Sequence, residues 1–204
     1  MKTYTVRELN IDSRAVAAAA DALAAGKIII YPTDTRYALG CNALDRRAID
    51  RLCRLKGIDP VKNTLTIVCP TISAASEYAR IDNRAFDILR RNLPGPFTFI
   101  LPAAPTLPRP LRERRNVGIR VPDNAIAAAI AEALGNPILS TSVPDAADGS
   151  APDATIAAML YDSIADVALA IDGGDPAEVA HSAVIDITDA AQPVVLRDGP
   201  RELA

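Results

Sequence analysis

Three consecutive isoleucines, Ile28-Ile29-Ile30, followed by Tyr31 make a short run with no polar face. β-Branched side chains fit a pleated ladder, so this run predicts a strand covered on both sides. Pro32 cannot donate to a ladder and is expected to end the strand. Thr33, Asp34, Thr35 and Arg36 then follow at its C-terminal end, where open α/β sheets bind ligands. Two hydroxyls, a carboxylate and a guanidinium suit the amine, carboxylate and hydroxyl of a small polar substrate; they equally suit an ordinary strand-to-loop turn.

The rest of the chain alternates helical and strand-like patterns. An alanine-rich helix is predicted over 14–25, with Ser13 as its cap and Gly26 as its stop. A basic helix over 46–56 has Asp45 as its cap, apolar Ala48, Ile49, Leu52 and Leu55 at helical spacing, and Gly57 at its end. Further helices are expected over 85–91, introduced by Asp82 or Asn83, over 125–134, capped by Asp123 and ended by Gly135, and over 154–164. Strands are expected over 65–69, 97–101, 117–121, 137–142, 167–171, 183–187 and 193–197. The proline-rich piece from Pro102 to Pro110 reads as a surface excursion, and Asp145 to Asp153 as a mobile loop. This succession predicts an α/β fold: a twisted, mixed parallel and antiparallel sheet with helices packed on it.

A length of 204 residues suits one domain, taken as 1–204. Half of the residues are hydrophobic, only 4% are aromatic and Trp is absent, so the core should be Ala, Ile, Leu and Val packed between layers. A net charge of -3 gives no global argument for nucleic acid or a membrane surface. Cys41, Cys53 and Cys69 show no CxxC spacing and His181 is the single histidine, so neither a disulfide framework nor a zinc site is expected. The first residues do not resemble a signal peptide and no apolar run reaches membrane-spanning length; a cytosolic, cytoplasmic location is expected.

Several expected strand ends carry polar groups: Thr33 and Thr35, Arg120, Ser140 and Ser142, Ser182 and Arg197. Converged, they would form a pocket with hydroxyl donors and guanidiniums for carboxylate or phosphate; taken singly, each serine is also a normal cap or turn residue. Arg109, Arg112, Arg114, Arg115 and Arg120 form one basic cluster, and Arg46, Arg47, Arg51, Arg54 and Lys56 a second. Such patches could face RNA or a polyanionic nucleotide, or be a solvated face paired with acidic residues. Few aromatics are present to stack bases, which argues against sequence-specific reading of single strands. His181, beside Ser182, is read as a loop or strand-start residue, and no general base is named.

Six ordered motifs resemble the YrdC-like domain of the threonylcarbamoyl-adenylate synthases: residues 31–40, 94–101, 117–122, 140–142, 182–186 and 196–199. The resemblance spans essentially the whole chain and implies a single α/β domain with a large, concave cleft. Members of that family condense L-threonine, bicarbonate and ATP, with Mg²⁺, into threonylcarbamoyl-AMP and pyrophosphate for tRNA t6A modification; some were described as binders of double-stranded RNA or tRNA. By this resemblance Thr35, Arg120, Ser140 and Ser182 would line the threonine site, with Arg120 taking the carboxylate. Lys56, Asn63, Ser142, Ser150 and Arg197 would lie along ATP. The synthases carry an arginine two residues beyond the lysine, where this chain has Ile58, and the following loop is one residue longer, so that Asn63 and Thr64 compete for one position. Val143-Pro144 likewise departs from the synthase pattern. These features, with Cys53-Arg54 and Cys69, are more similar to the YciO branch. The resemblance therefore implies either a synthase, with Lys62 or Arg36 replacing the missing cation, or an RNA-binding module on the same fold; a binder of some other small molecule is a third reading.

Overall fold

A computed structural model describes residues 1–59, 63, 65–113, 115–145, 149–175 and 180–204. Pro60, Lys62, Thr64 and Arg114, and residues 146–148 of the loop expected to be mobile, lie outside the described residues. In chain order the elements are β1 (Lys2–Thr5), α1 (Ser13–Ala24), β2 (Ile28–Tyr31), β3 (Ala38–Asn42), α2 (Arg46–Lys56) and β4 (Thr66–Val68). Then come α3 (Ile72–Ala75), α4 (Asn83–Asn92), β5 (Phe97–Pro102), α5 (Arg109–Arg112), β6 (Asn116–Arg120) and α6 (Ala125–Leu134). The last are β7 (Ile138–Ser142), α7 (Ala154–Tyr161), β8 (Val167–Asp172), β9 (Ala183–Asp186) and β10 (Val194–Arg197).

The described strands form one 10-stranded sheet in the order β1-β8-β2-β3-β7-β4-β6-β5-β9-β10. It is mixed, as expected: β8 runs parallel to β1 and β2, β4 to β6, and β5 to β9, while the other neighbours are antiparallel. Strand alternation divides the core between the two faces. Ile28, Ile30, Leu39, Cys41, Ile67 and Ile119 join a cluster with α2, α4 and α7. Ile29, Tyr31, Ala38, Val68 and Ile138 join a second cluster with α1 and α6. The isoleucine run is thus covered on both sides, and all four residues of β2 are buried.

Two caps differ from expectation by one residue. Ser13 is the first residue of α1; the cap is Asp12, whose carboxylate accepts from Arg14 N. On α6 the cap is Asn124, accepting from Ala127 N at 2.9 Å, while the backbone N–H of Asp123 is bonded to Asp34 Oδ2 at 3.1 Å. β1, β3, α3 and α5 were not expected from the sequence. β3 carries Gly40, Cys41 and Asn42 and is buried throughout, so it lacks both the β-branched enrichment and the alternation that mark a strand. Among the described residues no helix is long and apolar enough to cross a membrane.

Candidate functional site

Strand register builds the floor of a cavity. Ser140 pairs with Thr66, Thr66 with Gly118, and Gly118 with Ile100. Val68 pairs with both Ile138 and Arg120, and Thr98 pairs with Val184. Paired residues share a face, so these side chains continue the face that α1 and α6 cover over β2, β3 and β7. Beyond those helices lies a cavity of about 320 Å³, within the range of small-ligand sites. Its polar lining includes Thr66, Thr98, Arg120, Ser140, Ser142, Ser182 and Arg197; Leu52, Cys53, Ile58 and Asn63 close it from α2 and the segment that follows. Gly118 keeps the floor flat, since a Cβ there would come within 2.7 Å of Thr66 Oγ1 and 3.1 Å of Thr98 Cγ2.

Arg120 is the charged centre of this floor and is only 7% exposed. Its Nη2 donates to Thr35 Oγ1 at 2.7 Å, to Thr33 Oγ1 at 3.2 Å and to the Asp34 carboxylate. Asp34 is held in turn by the Asp123 N–H, so the ion pair is anchored from a second element. Arg120 Nε is buried without a partner. A buried guanidinium with an unused donor, facing a polar cavity, is suited to a carboxylate.

The hydroxyls around it are oriented by neighbours. Tyr31 donates to Ser140 Oγ at 2.7 Å, and burial pushes the phenol up to about 12, so it stays protonated as a donor. Ser140 has accepted there, which leaves its own proton for another acceptor. Tyr31→Phe should therefore weaken binding of the cavity's ligand about 3- to 10-fold while lowering stability by only about 1 kcal/mol, the worth of one buried hydrogen bond. Titration of L-threonine against both proteins, with thermal unfolding alongside, checks this. Across the cavity, Ser182 and Thr98 hydroxyls lie 3.1 Å apart. Arg197 clamps that corner, donating from Nε and Nη2 to Ser182 O at 3.0 and 2.8 Å. Burial, then the Arg120 and Arg36 guanidiniums, lower the Arg197 pKa, which reports three cations close together.

The structure brings together Arg120, Ser140, Ser142, Ser182, Asn63 and Arg197 in the cavity lining. Thr35 lies outside the cavity lining, its Oγ1 accepting from Arg120 Nη2. Lys56 donates from Nζ to Ser142 O at 3.0 Å, and burial lowers its pKa. Ser150 is exposed and lies outside the cavity lining. The group Thr33-Asp34-Thr35, expected to emerge toward substrate, is instead buried, because its oxygens turn onto Arg120. Nor does Arg120 belong to a surface basic cluster: it lies on the sheet, whereas Arg109 pairs with Glu113 at 2.6 Å and Arg112 donates to Pro105 O. Tyr31, Thr66, Thr98 and Val184 were missed as site residues, since their signal is strand register rather than spacing. His181 lies in the loop just before β9, as expected; its Nε2 is 3.2 Å from Arg36 Nη1, and burial with the Arg36 and Arg197 charges lowers its pKa. Cys41, Cys53 and Cys69 are buried free thiols.

With this geometry in hand, similarity to known proteins places the chain. The model of the Sua5/YciO/YrdC family, described as "Telomere recombination", matches residues 21–199. YciO of Escherichia coli is 39% identical over 197 residues, covering 93% of this chain and 91% of its own. Its crystal structure superposes with a TM-score of 0.86 over 99% of this chain and 98% of that one. A threonylcarbamoyl-AMP synthase of Pyrococcus abyssi is 34% identical over 95% of this chain, which spans only 56% of that protein. P. abyssi Sua5 complexed with L-threonine gives a TM-score of 0.86 at 31% identity, over 98% of this chain and 58% of that one. Family model, sequence relatives and fold agree, and the chain belongs to the Sua5/YciO/YrdC family.

Proposed function

We propose that this chain binds L-threonine and ATP in the cavity and condenses them with bicarbonate into threonylcarbamoyl-AMP, supplying tRNA t6A modification. The observation that carries this reading is the buried Arg120, with its unpartnered Nε, among the Ser140, Ser182 and Thr98 hydroxyls. It is a site shaped for an amino-acid carboxylate with a hydroxyl nearby. The L-threonine complex of the Sua5 relative supports threonine as that amino acid.

In the reaction, the threonine amine attacks bicarbonate carbon and water leaves. The resulting carbamate oxygen attacks the α-phosphorus of ATP and expels pyrophosphate. The protein's part is positioning and electrostatic stabilisation: Arg120 would fix the carboxylate, and Lys56, Asn63, Ser142, Ser150 and Arg197 would lie along the nucleotide. Mg²⁺ would enter on the triphosphate and offset its charge; among the described residues no group of three or more His, Cys, Asp or Glu side chains could hold a metal ion. Ile58 contributes no charge to the cavity, so slow turnover is expected relative to synthases that have an arginine there.

The test is pyrophosphate release from ATP, Mg²⁺ and bicarbonate, with and without L-threonine. Threonine-dependent release is the expected result; its absence from folded protein overturns the synthase reading. A second reading, RNA binding, rests on one observation: α2 packs against α5, and each carries exposed arginines, Arg46, Arg47 and Arg54 on the one and Arg109 and Arg112 on the other. No release, together with tRNA binding that weakens steeply with salt, would favour it.

A further inference from the structure

Three guanidiniums lie near one another, Arg120 and Arg197 in the cavity lining and Arg36 outside it, and their partners differ in kind. Arg120 is paired with Asp34, whose side chain is only 5% exposed and whose second oxygen is also used. That pair is fixed. Among the described residues Arg197 is bonded to the neutral Ser182 carbonyl and hydroxyl. Arg36, in the segment between β2 and β3, is different again. Its Nη1 meets His181 Nε2 at 3.2 Å, beside the cavity residue Ser182, and its Nη2 meets Asp145 Oδ1 at 2.6 Å. The Arg36 side chain is 10% exposed, that of Asp145 41%. Arg36 Nε is buried with no partner.

Among the described residues Arg36, Arg120 and Arg197 meet two carboxylates, Asp34 and Asp145, and burial with the Arg36 and Arg197 charges lowers the His181 pKa, which favours the neutral ring. Of the two carboxylates, only Asp145 is substantially exposed, so only it can leave a guanidinium at small desolvation cost. A polyphosphate carries several negative charges and presents forked oxygens that match an arginine, so it competes well against one half-exposed carboxylate. The chain also carries Ile58 at the cavity wall, on the segment following α2.

We infer that Arg36 is a phosphate-anchoring residue of the nucleotide site, and that Asp145 is its resting counter-ion, displaced when a phosphate group binds. This rests on the reading of the cavity as a nucleotide site. Asp145 then works against binding: with the carboxylate in place, ligand must break an ion pair to reach Arg36.

The experiment is calorimetric titration of Mg²⁺-ATP, and separately of L-threonine, into the intact protein and three variants, each first checked for folding by thermal unfolding. Asp145→Asn should tighten ATP binding about 3- to 10-fold, because the competing charge is gone. Arg36→Ala should weaken ATP at least tenfold, and the double variant should match Arg36→Ala, since without the guanidinium Asp145 has nothing to block. L-threonine affinity should stay within twofold throughout. Unchanged ATP affinity in Arg36→Ala, weaker ATP binding in Asp145→Asn, or no ATP binding to any form overturns the inference. Should Arg36→Ala fail to fold, the Asp145→Asn arm decides alone. Failure of the intact protein to bind ATP or L-threonine overturns the proposed function as well, whereas ATP binding to the intact protein that is unchanged in Arg36→Ala overturns the inference alone, so the two are told apart.

Discussion

Arg120→Ala is expected to abolish measurable threonine binding and to destabilise the fold by about 3–5 kcal/mol, the usual cost of stranding one member of a buried ion pair. The reason is local. Asp34 is buried, and Arg120 supplies its charge partner from β6 while also ordering the Thr33 and Thr35 hydroxyls. Truncation leaves an uncompensated carboxylate inside the protein together with a cavity where the guanidinium stood. Asp34→Asn/Arg120→Met separates the two roles. With no buried charge left over, it should recover much of the lost stability and none of the binding. Thermal unfolding and threonine titration of the three proteins would show it; equal stability of Arg120→Ala and the parent would mean that the ion pair is not holding this corner together.

Gly199→Ala should be the most damaging single-methyl change near the site. A Cβ at Gly199 would lie 2.3 Å from Ala183 N and 2.8 Å from its Cα, so backbone, not a side-chain tip, must move. Ala183 opens β9, next to Ser182, and Arg197 on β10 clamps the Ser182 carbonyl two residues before the glycine. Overpacking of this kind costs about 1–3 kcal/mol, which in a chain of this size lowers Tm by several degrees. The shift is delivered to the corner of the cavity, so ligand affinity should fall along with stability. Calorimetric unfolding paired with ATP and threonine titrations distinguishes this from a remote defect, which would lower Tm alone.

Much of the fold was legible along the chain because its signals are local. The isoleucine run, the Pro32 that ends it, the glycines after α1, α2 and α6, and the acidic caps at Asp45 and Asp82 act within a few residues of themselves. The cap misplacements at Ser13 and Asp123 have the same origin: neighbouring residues were both competent, and side-chain geometry chose between them. β3 was invisible because a strand buried on both sides in the middle of a wide sheet need not alternate, and Gly40 is excused from having a side chain by Ile138 and Tyr31 against it.

The site divides along a similar line. Residue type offered hydroxyls and arginines at strand ends, the family resemblance implied that they converge, and Arg120, Ser140, Ser142, Ser182 and Arg197 do share one cavity. Which way each group faces was decided by tertiary structure. Thr33, Asp34 and Thr35 look from the sequence like ligand contacts, yet a guanidinium from β6, more than eighty residues away, draws them inward. Tyr31 reaches Ser140 across 109 positions, and Arg36 reaches Asp145 and His181. Chemistry and secondary structure are carried by short stretches, whose propensities can be read in place. The pairing of charges and the direction of hydroxyls are set by strand register and by which buried group lacks a partner, and those depend on residues that meet only when the sheet forms.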